Sequence, residues 1–262
     1  MLMNLSKRAL LFSTLLLSSI VVSAATSSAT QATADEVIEK HLAAIGGREA
    51  LSKLTSQRAT GTMTVGTPGG DLTGPVELLS KAPNKARLMI SLDLTPMGMN
   101  DKMVIEQKFN GTTGVMTNSM QGNQEVSGNQ LDNMKSNTFP TPLLNYKTAG
   151  GKAELQPRET LNGKPAVVLL YTPKAGSAVR MYFDPETFLL LRTKMTVNTP
   201  EMGDLEQIRD LSDYRTVGGI KSAFQSVNTN AAQTVTLKLE KIEWNVAIDD
   251  AVFSAKAPAL AR

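Results

Sequence analysis

The feature that most constrains this chain is a two-residue period in its apolar side chains, running from about residue 59 to 246 and broken repeatedly by turn residues. Ala59, Gly61, Met63 and Val65 alternate with polar neighbours before Thr67-Pro68-Gly69-Gly70 turns the chain. Such alternation marks strands with one buried and one solvated face. A second strand is expected over about 72–80. In a third, Leu88, Ile90, Leu92 and Leu94 share one side, while Arg87, Ser91 and Asp93 share the other. After the interruption Thr95-Pro96-Met97-Gly98-Met99-Asn100, a strand from Lys102 to Phe109 meets Asn110-Gly111, a strong hairpin signal, before residues 112–118. Residues 119–137 are polar, with a short helix expected around Gln130–Lys135, and Pro140 and Pro142 flank the apolar stretch that ends at Tyr146. Further strands are expected near 152–159, 165–172, 178–184, 188–197, 205–215 and 233–246, with turns at Asn162-Gly163, Pro173 to Gly176 and Asp184-Pro185.

The last strand contains a slip. Val235, Leu237 and Leu239 share a phase that Ile242 and Trp244 do not, and an extra residue near Glu240-Lys241 would restore it. That is how a β-bulge reads in a sequence, and bulges suit strongly curved sheets. Nine or ten short strands without intervening helices predict one large antiparallel sheet, mainly β with α cover, rather than βαβ units. The only candidates to cover its concave face are the middle segment and an N-terminal helix. That helix carries Val37, Ile38, Leu42 and Ile45 on one face, is capped by Thr33 or Asp35, and ends at Gly46-Gly47.

Ahead of the helix, Lys7 and Arg8, the apolar run Ala9–Val22 and Val22-Ser23-Ala24 stand in the order of a cleaved secretory signal. The run is shorter than the ~20 residues a membrane span needs. We therefore divide the chain into a signal peptide (1–24), a flexible leader (25–34), a single curved-sheet domain (35–255) and a C-terminal tail (256–262), and expect a periplasmic protein. With no cysteine, lipoprotein acylation, disulfides and thiolate chemistry are all excluded. Lys and Arg number 27 and Asp and Glu 24; removal of Lys7 and Arg8 leaves 25 against 24, a net charge of +1. No basic run suggests nucleic acid.

Chemistry is hard to find. The single histidine, His41, reads as a lone surface or boundary residue, and without cysteine or a second imidazole the usual zinc sites are ruled out in a monomer. No Gly-x-Ser-x-Gly elbow accompanies it. Glu36 and Lys40 are spaced for a solvent-exposed pair, and Asp249-Asp250 for capping the turn before Ala251-Val252-Phe253. No catalytic residue, metal site or cofactor is expected, and the chain reads as a non-enzyme. Thirteen methionines, with Met97, Met99 and Met103 close together, are the compositional oddity; such adaptable thioethers suit the wall or gate of an apolar cavity as well as ordinary core.

Three hairpins share a pattern. Met181-Tyr182-Phe183-Asp184-Pro185-Glu186-Thr187-Phe188-Leu189-Leu190-Leu191-Arg192, Asp213-Tyr214-Arg215-Thr216-Val217-Gly218-Gly219-Ile220-Lys221 and Phe109-Asn110-Gly111 resemble hairpins of the LolA/LolB-like lipoprotein-sorting superfamily. The helix stopped by Gly46-Gly47 is similar to its uncharacterised periplasmic branch. The resemblance spans most of residues 35–253. It departs at Gly114-Val115-Met116, where aromatics are usual, and at Ser222-Ala223-Phe224, where a proline is usual. The resemblance implies an unclosed, strongly curved antiparallel sheet, barrel-like, with helices in its mouth. It also implies binding or carriage of a lipid, another apolar small molecule or an acylated protein. Leu88, Ile90, Leu92, Leu94, Met103 and Ile105 would then line the cavity, and Met97 and Met99 would serve as its lid or gate. An envelope protein-interaction or sensor module on the same fold is the alternative, with an envelope protein as partner.

Overall fold

The computed structural model describes residues 33–199 and 203–254. The expected signal peptide, nearly all of the leader and the tail lie outside the described residues. Helix α1 (Ala34–Ala44) opens with a capping box. The Thr33 hydroxyl accepts from the Glu36 N–H, and the Glu36 carboxylate accepts from the Thr33 N–H. Thr33 is therefore the cap. Glu36 is engaged there and makes no pair with Lys40, whose ammonium lies 4.9 Å from the centre of the Phe188 ring. Gly47, at φ +90°, leads into α2 (Arg48–Ser52).

Thirteen antiparallel strands form one open sheet. The chain enters at its middle with β1 (Ser56–Thr67), and hairpins carry it outward through β2 (Gly70–Lys81), β3 (Lys85–Asp93), β4 (Lys102–Phe109) and β5 (Gly114–Asn118) to the edge strand β6 (Gly122–Val126). The chain next crosses, through α3 (Gly128–Ser136), to the opposite edge, β7 (Lys152–Leu161). It returns inward through β8 (Lys164–Thr172), β9 (Val179–Phe183), β10 (Leu190–Thr199), β11 (Gly203–Val217) and β12 (Ile220–Thr229) to β13 (Thr234–Trp244), which pairs with β1. The bulge is where the slipped phase put it. Gly61 faces Leu239 and Thr60 faces Lys241, so Glu240 is the extra residue.

Two strands are missing from those expected by period, although the hairpin resemblance at Asp213–Lys221 already implied the start of the second. β6 is an edge strand whose first four residues are all exposed, so no apolar phase marks it. β12 alternates Ile220, Ser222, Phe224, Ser226 and Asn228 on one side, and its polar members erase the period.

The crossing segment bridges the two halves of the sheet. Asn84 Nδ2 donates to the Lys135 carbonyl (3.2 Å), and the Met134 sulfur packs near Gly114. At the far end Asn133 Oδ1 accepts from the Ser177 N–H (2.7 Å) in the β8–β9 turn. Residues 143–147 are fastened to the helices, since Arg48 Nη1 donates to the Leu144 carbonyl (2.5 Å) and Asp35 accepts from the Tyr146 hydroxyl and from Lys147.

The main core lies beneath these elements. Val37, Ile38 and Leu42 of α1, Leu51 of α2, and Leu143, Leu144 and Tyr146 pack on Val167, Leu169, Tyr171, Met181 and Phe183. His41 belongs to this layer, correcting the surface assignment. Only 5% of it is exposed, because its helical phase matches Val37 and Ile38. Its Nδ1 lies 2.9 Å from the Phe188 carbonyl and its ring meets Phe183 edge-on. Burial lowers its pKa, opposed by the Phe188 hydrogen bond.

Candidate functional site: the concave face of the sheet

Directly opposed residues of an antiparallel pair project to the same side of a sheet, so the register defines its faces. One row runs Leu169, Met181, Thr193, Arg209, Asn228, Val235, Val65, Leu72 across eight neighbouring strands. Leu169 and Met181 touch the helices, which identifies this as the covered, concave face. The adjoining row runs Leu211, Ser226, Leu237, Met63, Gly74.

All six residues expected from the resemblance to line a cavity come together on this face. Ile90, Leu92 and Leu94 are buried with Met63, Leu72, Val76 and Leu237, and the half-buried Leu88, Met103 and Ile105 pack against them. Among the described residues no α-helix contributes to this cluster, in contrast to the helix-covered core on β7–β9. Met97 and Met99 lie outside it, 49% and 37% exposed, on and just beyond a 3-10 turn (Thr95–Met97) that follows β3.

Glycine shapes the wall. Pro75 has no N–H, and the β2–β3 ladder ends at the Val76–Ile90 pair. Beyond it β3 closes on β2, so that a Cβ on Gly74 would lie 1.8 Å from the Ser91 carbonyl oxygen. At the bulge, a Cβ on Gly61 would lie 2.1 Å from the Lys238 carbonyl oxygen.

Between the two apolar regions the face turns polar, at Thr193, Arg209, Asn228 and Ser226. Sequence reasoning missed this band. Its signal was an arginine in the same phase as Leu205 and Leu211. Most other described arginines meet carboxylates, though the exposed Arg158 does not: Arg87 bridges Glu77 (3.0 Å) and Glu106 (2.6 Å), and Arg192 holds Asp210 (2.6 Å). Arg209 has no such partner among the described residues. It keeps exposed surface while strands flank it on both sides, as expected of a side chain in a concavity. Burial pushes the Tyr214 hydroxyl, which donates to the Leu190 carbonyl (2.6 Å), up to about 12.

Two clefts, of about 520 and 410 Å³, lie away from this band, one beside Ser56, Lys81 and Asn245, the other on the outer face around Arg180, Tyr182 and Lys194. We place the site on the concave face nonetheless, because both clefts are wide open and neither gathers a reactive or apolar constellation. No cluster of three metal-ligating side chains occurs among the described residues. No helix among them is long and apolar enough to cross a membrane.

An open, curved antiparallel sheet with helices against part of its concave side defines a class of fold. Solved structures place it more narrowly. The chain is similar to a domain assigned to outer membrane lipoprotein sorting from Vibrio parahaemolyticus (12% identity, TM-score 0.54), covering 83% of this chain and 94% of that one. It is similar to a LolA superfamily protein from Nitrosomonas europaea (14%, TM-score 0.54; 86% and 98%) and to a DUF1329 family protein from Desulfovibrio piger (15%, TM-score 0.53; 85% and 97%). The fold is LolA-like, as the hairpin resemblance implied. No protein-family model matches the chain, and no curated protein matches it.

Proposed function

We propose that this protein is a non-catalytic periplasmic binding or carrier protein that takes an apolar ligand, a lipid or a lipoprotein acyl chain, on its concave face. The observation that carries this reading is the apolar cluster of β1–β4 and β13, which has no α-helical cover among the described residues although α1 and α2 cover the neighbouring core. Each methylene removed from water there contributes about 0.8 kcal/mol before the costs of association. Leu88, Met103 and Ile105, half-buried at its margin, are the side chains we assign to ligand contact. The exposed thioethers of Met97 and Met99 are assigned to the gate. The LolA-like fold and the secretory signal pattern of residues 1–24 support an envelope role. Native mass spectrometry of protein isolated from its own envelope, followed by lipid extraction, tests the proposal. A defined lipid or acylated protein near one-to-one stoichiometry is expected. Empty protein that also refuses added fatty acids and phospholipids would overturn it in favour of a protein-interaction module.

A further inference from the structure

The concave face is not uniformly greasy, and its polar interruption has a specific composition. Arg209 stands directly between Thr193 and Asn228, in a row whose ends are Leu169 and Met181 on one side and Val235, Val65 and Leu72 on the other. Arg209 is exposed there, so in the free protein water carries its charge and the guanidinium is open to an incoming anion. No carboxylate among the described residues pairs with it.

A second observation lies one step along the same face. Ser226 is only 4% exposed, and its hydroxyl has no hydrogen-bond partner. Buried polar atoms are nearly always paired, and the exceptions call for a cause. Ser226 precedes Asn228 by two residues on β12, about 7 Å along the strand and within reach of a long side chain on the diagonal. It faces Leu237, a member of the uncovered apolar cluster.

A cation, an amide and an orphan hydroxyl therefore occupy neighbouring positions of one face beside an apolar surface. Resting on the binding function proposed above, we infer that the ligand is an anionic amphiphile whose carboxylate or phosphate head is held by Arg209, Asn228 and Ser226 while its tail lies over the half-buried Val235 and Val65. A planar guanidinium suits either oxyanion, because it donates two parallel N–H bonds. The head would satisfy the Ser226 hydroxyl and neutralise Arg209 at once.

The test measures binding of oleate, dioleoyl phosphatidate and methyl oleate to the purified protein and to Arg209→Gln. At least one of the two anionic lipids is expected to bind the unsubstituted protein about 10–100-fold more tightly than the neutral ester, the yield of one or two charge-assisted hydrogen bonds. The tighter anion identifies the head as carboxylate or phosphate. Arg209→Gln removes most of that preference and leaves the affinity for methyl oleate within about twofold. Ser226→Ala weakens the anion several-fold without lowering Tm, since it deletes an unpaired group. If ester and anions bind alike, or Arg209→Gln leaves the preference intact, the head-group site is wrong and apolar binding stands. If none of the three binds, both readings fall. Should Arg209→Gln not fold, the comparison of anions with ester on the unsubstituted protein decides alone.

Discussion

Gly74→Ala probes how the concave wall is made. The new methyl carbon would sit 1.8 Å from the Ser91 carbonyl oxygen, 2.7 Å from the Ser91 carbonyl carbon and 3.1 Å from the Leu92 Cα. Real Cβ contacts essentially never fall below 3.0 Å, so β2 and β3 must separate by at least 1.2 Å (3.0 minus 1.8). The opposing atoms are backbone, and no rotamer change relieves them. Movement of that size forfeits one or two hydrogen bonds of the adjoining Val76–Ile90 pair, at about 0.5–1.5 kcal/mol each, and overpacking adds about 1–3 kcal/mol. The expected loss is about 2–5 kcal/mol, or roughly 4–20 °C in Tm for a domain of this size. Thermal denaturation followed by circular dichroism measures it. The control is Gly66→Ala in β1, where the Cβ would meet its nearest atom at 3.5 Å, an ordinary contact. Relief of unfolded-state entropy there predicts a change between neutral and about 1 kcal/mol stabilising. Equal Tm values for the two variants would refute the claim that β3 closes on β2 at Gly74.

Three further outcomes are expected. The pKa of buried His41 lies below its ordinary 6.5, so the unfolded chain takes up the proton first as pH falls. The stability owed to neutral His41 is thus complete above about pH 6.5 and lost progressively below it; urea midpoints should fall between about pH 7.5 and 5.5, and His41→Gln should flatten that slope. Leu42→Ala, at a fully buried position under the helix, should cost about 2–5 kcal/mol by urea denaturation, and a loss under about 1 kcal/mol would mean that α1 is not packed as described. Thr33→Ala removes the capping hydroxyl and should cost about 0.5–2 kcal/mol, with faster amide exchange confined to the first turn of α1.

The sheet was legible wherever one face was apolar and the other polar. Leu88, Ile90, Leu92 and Leu94 declared β3, and the displaced phase of Ile242 and Trp244 located the bulge to the pair Glu240-Lys241, of which Glu240 is the extra residue. Legibility failed where that contrast fails. β6 has almost nothing to bury, and β12 places serines and an asparagine on its inner side. The candidate site shows the same division. The residues proposed for its apolar wall share a strand phase visible in the sequence and group on one face, whereas the polar band became visible only when the register set Arg209 beside Asn228. His41 was misplaced because its charged neighbours, Glu39 and Lys40, masked a helical phase shared with Val37 and Ile38.

The pairing of β1 with β13 has a kinetic consequence. Among the described strands, each other neighbouring pair is consecutive in the chain and can zip locally, as two meanders, β1 to β6 and β7 to β13. Only the β1–β13 seam joins residues far apart in the chain, Gln57 with Trp244 at one end and Gly66 with Thr234 at the other. Loop-closure entropy defers that contact until both meanders exist. The seam is therefore the expected last step of folding, and substitutions along it should accelerate unfolding while leaving the refolding rate nearly untouched. Until it closes, the newly made chain exposes two further unpaired strand edges and an ungathered apolar surface, which is the interval in which aggregation threatens it most.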